Sequence, residues 1–136
     1  MTEHDLRTTP KILIADDDRD SADVACLLLS TIGYRVARAY DGYTALALLK
    51  VTQPEVAILN YMMPGMTGLD VLREIRACGV KTKVILTSGC GPDAFAELTV
   101  RARRVGATKV MALPFLTHEL ITTIARCVPA KKPLRD

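Results

Sequence analysis

The chain predicts an α/β protein of three layers, a doubly wound parallel sheet with helices on both faces. Five short apolar runs alternate along it with five stretches whose apolar residues recur at helical spacing. The links between them are short, and parallel strands need a crossover that a helix supplies. Its 136 residues, 49% hydrophobic and 24% charged, suit one domain with a single layered core.

Each element has its own signal. Lys11 to Ala15 is a short apolar run and reads as the first strand. From Arg19 to Ile32, the residues Ala22, Cys26, Leu29 and Ile32 share one helical face, closed by Gly33 as a C-terminal stop. Tyr34 to Ala39 has the β-branched and aromatic character of a second strand. Tyr43 to Val51 is a second helix with Ala45, Leu46 and Leu49 inward, and Pro54 marks the boundary after it. Glu55 to Asn60 is the third strand, and its unbroken run from Val56 to Leu59 suits a central strand covered on both faces.

Pro64, Gly65 and Gly68 then punctuate a tight loop before the third helix. Thr67 is the expected N-cap with Asp70 in the first turn, and Leu69, Leu72 and Ile75 face inward until Gly79. Lys83 to Ser88 is the fourth strand. Pro92 opens a fourth helix that carries Phe95, Leu98, Ala102 and Val105 inward and ends at Gly106. Ala107 to Leu113 is the fifth strand, and Thr117 to Val128 a last helix with Leu120, Ile121, Ile124 and Val128 inward. Residues 1–10 form an expected N-terminal tail, 11–128 the domain, and 129–136 a basic tail with two prolines and little to bury, expected to be disordered.

No run is apolar for the ~18 residues a membrane span needs, and the start MTEHDLRTTP lacks the apolar core of a secretory signal. A cytoplasmic location is expected. Cys26, Cys78, Cys90 and Cys127 lie far apart with no CxxC pair, so no local zinc or redox pair is built. Cys26, Cys78 and Cys127 fall in apolar helical patterns and are expected to be buried, while Cys90 sits in a glycine-flanked loop where it could be exposed.

In such a sheet the functional crevice lies outside the carboxyl ends of the strands. There the first strand ends in Asp16, Asp17 and Asp18, the third in Asn60, the fourth in Thr87 and Ser88, and the fifth in Leu113 before Pro114. Adjacent carboxylates raise one another's pKa unless a cation offsets them, and Mg2+ is the hard, oxygen-seeking ion that suits Asp16 and Asp17. Asp18 is read as the cap of the first helix.

The blocks ILIADDD, ILNYMMPGMTG, VILTSG and GATKVMALPF, in this order, resemble those of the receiver domain of bacterial response regulators, over residues 11–128. The resemblance implies a flavodoxin-like five-stranded sheet of order 2-1-3-4-5. It also implies two-component phosphorelay signalling, in which a histidine kinase phosphorylates an aspartate ending the third strand beside a bound Mg2+. Carried over, Asp16 and Asp17 match the acidic pair and Asn60 the phosphoacceptor position. The backbone carbonyl of Met62 completes the metal shell, with Asn60 a weak further ligand, and Ser88 matches the switch hydroxyl. Thr87 then points to the other side of the strand.

Three departures strike that mechanism. Asn60 replaces the aspartate, Leu113 the lysine, and Val110 the usual aromatic switch residue. A carboxamide is far less nucleophilic than a carboxylate. Leu113 removes the cation expected to stabilise phosphoryl oxygens. The expectation is an atypical, pseudo-receiver domain that binds Mg2+ weakly and is not an enzyme.

Binding then falls to a standing surface. Residues 1–100 hold ten basic and thirteen acidic residues, net −3, and residues 101–136 eight basic and two acidic, net +6. Arg101, Arg103, Arg104, Lys109 and Arg126 lie on the face from helix four to helix five, where the resemblance places dimer and output contacts. A protein partner there, a histidine kinase or an output protein, or a second copy, is favoured over nucleic acid, for which no stacking platform or helix-turn-helix is present. Two alternatives remain open: a regulator phosphorylated elsewhere, at Ser88 or a strand-one acid, and a small metal-dependent or flavin-binding enzyme on the same fold. No glycine-rich phosphate loop follows the first strand, and His118 belongs to the last helix as a surface residue.

Overall fold

A computed structural model of the chain describes residues 11–128. Strands β1 (Ile12–Ala15), β2 (Val36–Ala39), β3 (Val56–Asn60), β4 (Lys83–Ser88) and β5 (Lys109–Ala112) alternate with helices α1 (Arg19–Thr31), α2 (Gly42–Thr52), α3 (Gly68–Ala77), α4 (Pro92–Val105) and α5 (Thr117–Cys127). All strand pairs are parallel, as the alternation of elements predicted, and the order is β2-β1-β3-β4-β5, as the family resemblance implied. The expected tails, 1–10 and 129–136, lie outside the described residues. None of the described helices is long and apolar enough to cross a membrane.

The sheet divides the core in two because successive strand side chains alternate in direction. Leu13, Leu59, Leu86 and Val110 pack on one side against α2, α3 and α4. On the other, Ile14, Ile58, Ile85 and Met111 meet α1 and α5. β1, β3 and β4 are the central strands and their aliphatic residues are buried, which is why they read as unbroken apolar runs.

Local capping sets where the helices begin. Asp18, Asp41 and Thr67 each accept a backbone N–H of the first turn of α1, α2 and α3, and Asp70 returns a bond to the Thr67 N–H. Gly68 lets α3 start hard against β3, since a Cβ there would lie 2.6 Å from the Asn60 carbonyl oxygen. Gly42 likewise sits against the Met66 backbone. These two close approaches hold the loop that follows Asn60.

Two expectations fail. Ile32 is the C-cap of α1 rather than part of its inward face, and is 46% exposed because the helix has already turned away from the sheet. Cys78 is exposed, not buried: it caps α3, where the chain leaves the core, whereas Cys26 and Cys127 are buried within α1 and α5.

Candidate functional site

The carboxyl ends of β1, β3 and β4 bring the polar residues together. Ala15 of β1 is in register with Leu59, so the next residue, Asp16, comes beside Asn60. The Asn60 Nδ2 donates to Asp16 Oδ1 at 3.0 Å. The same oxygen accepts the Asp18 N–H at 3.0 Å, and Asp18 in turn accepts from the Ser21 N–H at 3.2 Å. Asp17 is exposed.

Asp16 is half-buried, and burial pushes its carboxyl above the usual range against the lowering by its two hydrogen bonds; Asp17 and Asp18 push it up further. The carboxamide is the side chain that donates to Asp16. The donor and acceptor match because Asn60 carries N–H groups where an aspartate would carry only oxygens.

The register places the two adjacent hydroxyls on opposite sides of the sheet. Asn60 pairs with Thr87 and Thr87 with Met111, so Asn60, Thr87 and Met111 face the α1 and α5 side together. Ser88, expected as the switch hydroxyl, falls on the opposite side of β4. It is fully buried there, with its Oγ 3.0 Å from Cys90 Sγ and accepting the Cys90 N–H at 3.3 Å. Thr87 is the residue of β4 in register with Asn60. The alternation of two separates Thr87 from Ser88 correctly, but only the pairing of β3 with β4 shows which of them shares Asn60's side.

Val110 is buried among the α2, α3 and α4 side chains, and Leu113 is partly exposed, its N–H bonded to the Ser88 carbonyl at 2.8 Å. Met62 follows β3, and its carbonyl accepts no hydrogen bond from the described residues. No group of three or more His, Cys, Asp or Glu side chains among the described residues is placed to hold a metal ion, and the oxygens that could serve Mg2+ are those of Asp16, Asp17, the Met62 carbonyl and the Asn60 amide. Beside this cluster a cleft of about 440 Å³ opens between α1 and the β5–α5 connection, and sequence reasoning missed it because it depends on packing between distant elements.

Arg101, Arg103, Arg104 and Arg126 are exposed and Lys109 is half-buried at the edge strand. His118 is exposed. The expected basic face is thus accessible on α4, β5 and α5.

This fold, with acids at the end of β1 and the polar residue at the end of β3, defines a class that the comparisons identify. The response regulator receiver domain profile matches residues 12–125, and the chain belongs to that family. It is similar to the Francisella response regulator 1452 receiver domain, at 28% identity and a TM-score of 0.80, over 87% of this chain and 95% of that one. The NtrX receiver domain from Brucella abortus is 30% identical, with a TM-score of 0.77, over 88% and 99% of the two chains. Vibrio cholerae chemotaxis protein CheY4 is 27% identical, with a TM-score of 0.79, over 88% and 99%. The protein is therefore a receiver domain of two-component signalling, a family of signalling modules that commonly bind Mg2+ and meet histidine kinases and output domains.

Proposed function

We propose that this receiver has left the phosphoryl switch and works in the cytoplasm as a phosphorylation-independent protein-interaction module, without enzymatic activity. The Asn60–Asp16 hydrogen bond is the observation that carries the reading. A neutral amide stands at the acceptor position, and its N–H occupies Oδ1 of Asp16, one oxygen of the acid that a metal would need. Leu113 offers no charge to phosphoryl oxygens, and Val110 is buried and aliphatic. Ser88, on the same side of the sheet as Val110, keeps the residual switch-hydroxyl position.

Mg2+ binding through Asp16, Asp17, the Met62 carbonyl and Asn60 is weak in this reading, because the third carboxylate is missing. When bound, the ion would neutralise the acidic pair. Function rests instead on the standing basic face of Arg101, Arg103, Arg104, Lys109 and Arg126, which suits an acidic protein surface or a second copy.

Incubation with Mg2+ and acetyl phosphate, read by intact mass, tests the reading. The parent stays unmodified, and Asn60→Asp/Leu113→Lys gains one phosphoryl group. A phosphoryl group on the parent overturns it, and mapping the modified residue then shows where the acceptor lies.

A further inference from the structure

The cleft beside the acidic cluster has a character of its own. Its floor is core, Ile14, Ile58 and Leu120, each no more than 5% exposed, and it is a cleft half open to solvent. Phe115 and Leu113 form one wall, and Val24 of α1, itself 66% exposed, lies at the other. At about 440 Å³ it falls within the range of small-molecule sites.

Its charge is of one sign. Asp16 and Asp20 are the only ionisable residues that line it, and neither makes an ion pair among the described residues. Asp16 uses Oδ1 for both of its hydrogen bonds, which leaves Oδ2 without a partner among the described residues. Helix N-termini ordinarily favour anions, but the two that border the cleft already carry acids. Asp18 caps α1, and Glu119 accepts the Leu116 N–H at the start of α5. An anion would therefore meet only like charge at the mouth.

We propose that this cleft binds a small amphiphilic organic cation, an aryl-alkyl ammonium whose apolar body lies on Ile14, Ile58, Leu120 and Phe115 and whose charged head meets Asp16 and Asp20. Burial of the body drives binding, and the two carboxylates select the sign of the head. Such a ligand would displace no internal bond, since Oδ2 of Asp16 remains to receive it. Binding at this site does not require that the chain accept a phosphoryl group, although the charged head would compete with Mg2+ for Asp16, and it gives the domain an input other than phosphorylation.

The probe is phenylbutylammonium, titrated in EDTA into the nitrogen-labelled protein and followed by amide shifts, beside neutral phenylbutanol and anionic phenylpentanoate. Saturable shifts are expected at Ser21, Ala25, Phe115 and Thr117, with the ammonium bound about fivefold more tightly than the alcohol and the carboxylate weakest. In Asp16→Asn/Asp20→Asn that preference disappears while the alcohol binds as before, which also shows that the cleft has stayed folded. Leu113→Lys weakens the ammonium about tenfold. Equal affinity for the three probes, shifts centred elsewhere, or no saturable shift overturns the proposal.

Discussion

The two ends of the sheet treat charge in opposite ways. At the amino end, cations are spent on backbone carbonyls: Arg76 donates to the carbonyls of Val80 and Thr82 at 2.8 Å and of Gly106 at 3.1 Å, and Lys83 Nζ reaches the Cys127 carbonyl at 2.9 Å. Thr82 Oγ1 adds a buried bond to the Pro54 carbonyl at 2.6 Å. At the carboxyl end, Asp16, Asp17, Asp18 and Asp20 have no ion-pair partner among the described residues. One end joins the loops that leave and enter the sheet, and the other leaves charge available for a ligand.

Breaking the first end has the largest expected effect. Arg76→Ala removes three charge-assisted bonds across α3, β4 and the turn after α4, and should cost about 3 kcal/mol by urea unfolding. Amide shifts at Asp16 and Asn60 should hardly move, because the loss is confined to the far end. If they move as much as those at Val80, the two ends are not separable. Gly68→Ala comes next, at about 2 kcal/mol, since its Cβ would lie 2.6 Å from a backbone oxygen and 2.8 Å from Leu86 Cδ1. Here the Asn60 and Tyr61 amides should shift first, as α3 is pushed off the end of β3; an unchanged Asn60 environment would show that the helix start gives way instead.

The fold was legible because its elements are punctuated by residues with one physical use. Gly33, Gly79 and Gly106 lie at helix ends with positive φ, and Asp18 and Thr67 are side-chain caps. The site was legible only in part. Asp16 and Asn60 were placed at their strand ends, yet their hydrogen bond depends on the register of β1 with β3, which no local pattern encodes. For the same reason no local pattern shows which of the adjacent hydroxyls, Thr87 or Ser88, shares the side of Asn60, and only the pairing of β3 with β4 does. Cys78 was misplaced because helical spacing says which face a residue shares, but not where the helix has left the core.

The smallest expected effect comes from two acids at the same end with opposite shifts. Asp41 is held below the usual carboxylate range, first by the Thr44 N–H and then by the Thr44 hydroxyl. Its contribution is present above the unfolded pKa and is lost as pH falls through the folded one, so Asp41→Ala should cost about 1 kcal/mol at pH ~7 and less in acid. Asp16 is raised, chiefly by burial, so the sign reverses. A carboxyl that holds its proton more tightly when folded favours the native state below the unfolded pKa, and that advantage fades as pH rises through the folded value. Asp16→Asn keeps an acceptor for Asn60 and Asp18 but removes the charge. In EDTA its urea midpoint should therefore sit slightly above that of the parent at neutral pH, and the difference should close as the pH falls toward the carboxyl range. A midpoint below the parent's at neutral pH would mean that the charge on Asp16 strengthens its bond to Asn60 by more than burial opposes it, and the carboxyl end would then be held together by that ion-dipole contact rather than left open.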